Sequence, residues 1–203
     1  MTLPGARRLQ PQGAGPILGA VLAGAAALIG CGEATAREIT VPESSISFVV
    51  PREFDDLGGV DGPAAVYGRP GSNLDEVGDE PVLFMTSIEH GDLASFAALR
   101  MLSTNGEYDP VDQVSNGDGT VSLQASGDIP ADSFVIDYEE IAQPDVWGIR
   151  IKLAVGSAAR DFQALVTRAT DRVVITELTC TQSCFLEQAD LIQKIQASWS
   201  LES

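Results

Sequence analysis

Apolar residues alternate with polar ones in a series of short runs, at 46–50, 64–67, 82–87, 120–125, 133–138, 147–155, 162–169 and 173–178. A period of two sends successive side chains to opposite faces, so each run predicts a β-strand. The clearest holds Ile149, Ile151, Leu153 and Val155 with Arg150 and Lys152 between them, which predicts one buried and one solvated face. Turn-forming residues separate the runs: Asn116-Gly117-Asp118-Gly119, Gly127-Asp128-Ile129-Pro130, Gly156-Ser157 and Thr170-Asp171.

Two stretches change period. Leu93, Phe96, Leu99 and Leu102 share one side of a helix predicted over 92–103, with Asp92 available as its cap. Phe185, Ala189, Ile192 and Ile195, followed by Trp199, do the same over 184–198. The segment 54–80 is rich in Gly, Asp and Pro and reads as a long loop with one short strand. Strands joined by short turns imply an antiparallel meander, and helices on either side of it imply an α+β fold layered α/β/α.

The first thirty residues are patterned differently. Arg7 and Arg8 precede an apolar run over 16–29 that is rich in Gly and Ala, the layout of an export signal. The run is short for a membrane span, which needs roughly twenty strongly apolar residues. It ends in Leu28-Ile29-Gly30-Cys31, which resembles the lipobox of bacterial lipoproteins. The resemblance implies diacylglycerol on the Cys31 sulfur, cleavage before that residue and acylation, palmitate included, of the new amino group. Two or more acyl chains hold a soluble domain on a membrane, at about 0.8 kcal/mol per buried CH₂. The chain then divides into a signal peptide at 1–30, a lipidated cysteine and polar tether at 31–38, and one domain at 39–203. A plain secretory signal ending near Ala34 or Ala36 and an uncleaved anchor are the alternatives. Ala6-Arg7-Arg8-Leu9 leaves the general secretory and twin-arginine routes both open.

Charge narrows the partners. Arg7 and Arg8 are two of only 12 basic residues, and all 29 acidic ones lie beyond the leader, so the formal charge of -17 understates the acidity of the domain. Nucleic-acid binding rests on Lys and Arg displacing counterions, and the few basic residues here are scattered. A basic membrane-binding patch is likewise missing, which leaves lipid as the means of attachment.

Export places Cys180 and Cys184 where a nearby pair is normally oxidised. They fall between a strand over 172–179 and a helix beginning near Gln182, and one helical turn brings their Cα atoms within disulfide reach. So short a loop contributes about 2 kcal/mol on the chain-entropy account. Zinc needs two further ligands, and the thioredoxin-like spacing has two intervening residues where this pair has Thr181, Gln182 and Ser183.

Three features resemble the PsbP-like fold, shared by photosystem PsbP proteins, the Ran-binding Mog proteins and actinobacterial lipoproteins of the LpqN type. They are the opening Ile46-Ser47-Phe48-Val49-Val50-Pro51, the long meander, and the closing Ala197-Ser198-Trp199-Ser200-Leu201. The resemblance spans most of 39–203, and Phe54 stands where many relatives have tryptophan. It implies an accessory, assembly or binding protein and transfers no catalytic residue.

Local motifs add little to that. His90 is the sole histidine, in a stretch that reads as a loop before a helix, and no Gly-x-Ser-x-Gly elbow accompanies it. The acids from Asp112 to Asp118 lack the spacing and closing glutamate of a calcium loop and read as a hairpin turn. Asp55 with Asp56 and Glu139 with Glu140 are the pairs a glycosidase would need, but adjacency in sequence sets no separation across a cleft. Trp147, Trp199, Phe134 and Tyr138 are candidates to line an apolar pocket, and aromatics at such positions are usually core. The expectation is a membrane-tethered monomer with no cofactor, no metal and no nucleic acid, a non-enzymatic domain that binds an envelope protein or glycolipid. A carrier of an apolar ligand, held between sheet and helix, is the alternative, with a hydrolase behind it.

Overall fold

Short alternating runs pair into three antiparallel sheets, and the order along the chain decides which. The computed structural model describes residues 35–58, 64–72, 77–91, 93, 95–127, 129–167 and 172–201. Five strands come first: β1 (Ala36–Thr40), β2 (Ile46–Pro51), β3 (Asp55–Asp56), β4 (Ala64–Gly68) and β5 (Val82–Glu89). Helix α1 (Phe96–Leu102) follows, then β6 (Val111–Ser115), β7 (Val121–Ala125), β8 (Ser133–Ala142), β9 (Val146–Val155), β10 (Ala158–Thr167) and β11 (Arg172–Thr181). Helices α2 (Gln182–Glu187) and α3 (Ala189–Gln196) and strand β12 (Ser200–Leu201) close the chain.

The main sheet has seven strands in the order β3-β4-β5-β11-β10-β9-β8. Its faces carry two separate cores, and β10 shows the division: Ala159 and Leu165 join one, while Phe162, Ala164 and Val166 join the other. The first core is covered by a small sheet, β1-β2-β12, and by α2 and α3, through Ile46, Phe48, Phe185, Ile192 and Ile195. The second is covered by α1 through Leu99 and by the β6–β7 ribbon through Val111 and Leu123. The fold is therefore α+β, an antiparallel meander with helices on both faces, as the periodicity implies.

Several expectations need correction. Arg150 does not face water; it is 6% exposed and paired with Asp161 of β10, which is fully buried. The reason is that α3 and the small sheet cover the face that sequence alternation leaves open. Strand β1 takes in Ala36, Arg37 and Glu38, so the tether ahead of the first strand is shorter than the seven residues after Cys31 suggest. Its register against β2, with Ile39 opposite Phe48, buries apolar side chains that a lone Ile39 among polar neighbours does not advertise. The cation of Arg37 sits 5.6 Å from the Tyr67 ring, a cation–π contact that ties the small sheet to the large one.

The closing helix is divided at Gln188, whose φ of -101° and ψ of 14° leave the helical region. Trp199 lies beyond it and packs on the first core. The first helix is capped by Ser95, whose hydroxyl accepts the Ala98 amide at 3.1 Å. Asp92, the cap expected from sequence, and the turn at Thr170-Asp171 lie outside the described residues, as do residues 1–34 with Cys31.

Candidate binding groove

Strands β7 and β8 line one groove of about 500 Å³. The ribbon that forms one wall is anchored at its base by α1. Arg100 donates its Nε to Asp109 at 2.9 Å and a second guanidinium N–H at 3.1 Å, a two-point clamp that geometry favours for arginine. Asp109 also accepts the Val111 amide at 3.1 Å, so the clamp sets where β6 begins. At the far end, Asp118 accepts the Thr120 amide at 2.9 Å and its hydroxyl too, while Gly117 and Gly119 supply the positive φ of 77° and 89°. Those hydrogen bonds hold the Asp118 carboxyl below its usual range. The acids of 112–118 therefore build a hairpin, and among the described residues no group of three or more His, Cys, Asp or Glu stands ready to hold a metal.

The other wall is β8, the edge of the main sheet. Tyr138 donates to Glu140 at 3.0 Å, and burial together with that carboxylate pushes its phenol up to about 12. Lys152 of β9, 3.0 Å from Asp137, keeps that carboxyl below its ordinary value. The groove's apolar lining includes Val121, Leu123, Val135 and Ile136. Val121 and Ile136 are 60% and 47% exposed, so the apolar surface continues onto the rim. Sequence reasoning named Phe134 and Tyr138 but missed the groove. Val111–Ser115 is too polar to read as a strand, and without the ribbon there is no second wall.

The remaining candidates scatter. Cys180 and Cys184 are joined by a disulfide with Cα atoms 6.0 Å apart, linking the end of β11 to the first turn of α2. Their junction is capped by Thr181, which accepts the Cys184 amide at 3.3 Å and donates to Asp79 at 2.8 Å. His90 follows β5, its ring edge-on to Trp147 at 6.3 Å. Asp55 and Asp56 form β3, and Glu139 and Glu140 are adjacent on β8, so each pair diverges to opposite faces. Trp147 and Tyr138 pack on the second core, Trp199 on the first, and Phe134 is exposed, so these aromatics do not converge on one pocket.

A half-buried carboxylate on β11 sets a pH response. Burial pushes the Glu177 carboxyl up, and Arg160 at 3.6 Å pulls it only partly back. The folded state then holds that proton more tightly than the unfolded one, so stability falls as pH rises through the folded value. Melting temperature is expected to climb from pH 7 to about 5, and the slope to flatten in Glu177→Gln. Below that, protonation of Asp137 and Asp118, both held low when folded, reverses the trend. A melting series on both proteins checks this; an equal slope in the variant would assign the trend to Asp161, whose carboxyl burial also pushes up, or to overall charge.

A long antiparallel sheet packed by helices on both faces, with a smaller sheet built from the two ends of the domain, defines the Mog1/PsbP-like α+β fold. No family model matches the chain, and no curated protein matches it by sequence. Among solved structures it is similar to the Ran-binding protein Mog1p of Saccharomyces cerevisiae, 13% identical over 82% of this chain and 95% of that one, at a TM-score of 0.50. It is also similar to cyanobacterial PsbP (CyanoP) from Synechocystis, 14% identical over 85% and 96% at 0.47. The third likeness is to LpqN of Mycobacterium tuberculosis, described as involved in cell envelope biogenesis, 10% identical over 83% and 91% at 0.43. At 13% identity the likeness to Mog1p shows the fold alone.

Proposed function

We propose that this chain is a lipid-anchored, non-enzymatic accessory domain on the outer face of a bacterial membrane, and that it binds an envelope partner, a protein or a glycolipid, through the β7–β8 groove. The observation that carries the binding role is the pairing of exposed Val121 and Ile136 across one acidic groove. Apolar surface of that kind, rimmed by polar groups, marks interaction sites. The name of yeast Mog1p records a protein-binding use of the same fold. The anchor rests on Leu28-Ile29-Gly30-Cys31. Only Gly32 to Thr35 lie between Cys31 and β1, a reach of roughly 14 Å, so the domain acts close to the bilayer. It works as a monomer, since copies this acidic repel one another.

Two measurements test the reading. Intact mass and membrane fractionation should show an acylated chain beginning at Cys31, and Cys31→Ser should release the protein from the membrane. An unacylated chain with its leader, or a secreted form starting downstream, would sink the anchor. Photo-crosslinkers at Val121 and Ile136 in intact cells should recover one and the same partner, with none at Leu186, which is 78% exposed on α2. Equal recovery at all three positions would end the groove's claim. A glycolipid instead of a protein in the crosslinked product keeps the reading and changes the partner.

A further inference from the structure

The two edges of the main sheet differ. β3 is two residues long, and both are exposed acids, so that end offers little backbone to pair with. β8 is ten residues long and pairs only with β9, along Ser133–Ala142. Across the groove, β7 pairs only with β6. Both walls therefore have a strand edge with no ladder partner among the described residues, and such an edge is a template for another strand.

The side chains say which strand it takes. β6, β7 and β8 together carry Asp112, Asp137, Glu139 and Glu140 and no Lys or Arg. Lys152 from β9 answers Asp137, which leaves the other acids of β8 without a cation on their own strand. Ile136 marks a break in the β8 register between Val135 and Asp137, the bulge that edge strands use against indiscriminate pairing. A second copy of this chain fits poorly, because two β8 edges would set Asp137, Glu139 and Glu140 against themselves. The exposed apolar positions Val121 and Ile136, with Leu123 and Val135 between them in the groove, ask for apolar side chains at every second position of the guest.

From this we propose that the groove takes an extended segment of a partner protein, with alternating apolar and Lys or Arg residues, as an added strand along the free edge of β8. This rests on the reading of the chain as a binding domain and fixes the partner's chemistry. Contact with both walls spans about five residues, the length of β7, or roughly 17 Å.

The test uses the full lipidated chain in nanodiscs of zwitterionic lipid and three acetylated eight-residue peptides. One alternates valine and lysine, one alternates valine and glutamate, and the third is the valine–lysine peptide N-methylated at every second peptide nitrogen. Fluorescence anisotropy should show binding of the first alone, weakening with salt, and hydrogen exchange should show protection over 121–125 and 133–142. N-methylation keeps the charge but removes backbone donors, and should cost at least about tenfold in affinity. The variant Val121→Lys/Ile136→Lys, altered only at exposed positions, should lose at least about tenfold while melting like the parent.

Equal binding of the N-methylated or glutamate peptide, absence of binding by all three, or protection confined to other strands, would overturn strand addition. If any of these occurs while crosslinks at Val121 and Ile136 still return one partner, the binding-domain reading stands without it. If the valine–lysine peptide binds as expected and those crosslinks return nothing, strand addition is supported in vitro and the cellular reading fails.

Discussion

Arg150→Met is expected to destabilise the domain by about 3–5 kcal/mol, because it leaves the carboxylate of Asp161 buried without its counter-charge. Arg150 donates its Nε to Asp161 at 2.8 Å, and its other guanidinium contact completes a two-point pair. The pair sits within a wider polar network under α3. Gln196 donates to the Asp161 carbonyl at 2.7 Å and accepts from Thr176 at 2.8 Å, while Gln163 reaches the Gln196 carbonyl at 3.3 Å. Each of these side chains is at most 2% exposed. Such a network is favourable only while every member is satisfied.

Urea unfolding of the parent, Arg150→Met and Arg150→Met/Asp161→Leu measures the effect. The double variant should recover most of the loss, since both charges are gone and the volume is filled with apolar atoms. Burial already pushes the Asp161 carboxyl up, with Arg150 pulling it back. Without Arg150 it rises further, so the loss should be larger at pH 8 than at pH 5. If the double variant is as unstable as the single one, the cost lies in packing and the charge argument is wrong.

Gly148→Ala should be comparably damaging, at about 3 kcal/mol or more, with little folded protein recovered. A Cβ there would lie 2.0 Å from the Ala164 carbonyl oxygen and 3.1 Å from the Leu165 Cα, both backbone atoms of β10. No flexible side chain is available to yield. β9 cannot retreat either, being paired with β10 on one side and β8 on the other. Gly127→Ala is the control: its Cβ would meet nothing within 4 Å, so stability should change by less than about 0.5 kcal/mol. Circular dichroism and thermal melts of both variants decide the matter. A well-folded Gly148→Ala protein would mean that β9 and β10 approach less closely than described.

Strands with a strict apolar alternation are legible in the residue pattern itself, and β9 is the plainest of them. Ile149, Ile151 and Leu153 point to one core as their spacing says. What alternation could not show is that the opposite face of β9 is buried too, because Arg150 looks identical in sequence whether it meets water or Asp161. β1 and β6 escape notice for a related reason. Each is short and mostly polar, and becomes a strand through its partner: Ile39 opposite Phe48, and Val111 at the base of a ribbon clamped by Arg100. The candidate groove is illegible for the same cause, since one wall needs β6, a mostly polar run that becomes a strand only by pairing with β7.

Sequence alone determined the α+β class, the antiparallel meander, the helical faces, the acidity and the expectation of a lipid-bearing Cys31, because these depend on spacing, composition or a motif within a few residues. Only tertiary structure decided that the small sheet joins α3 over the face carrying Arg150, that Arg150 and Asp161 meet out of water, and that β8 has an open edge beside β7 among the described residues. Those are facts about which segments come together, and they arise from packing between residues that no local pattern connects.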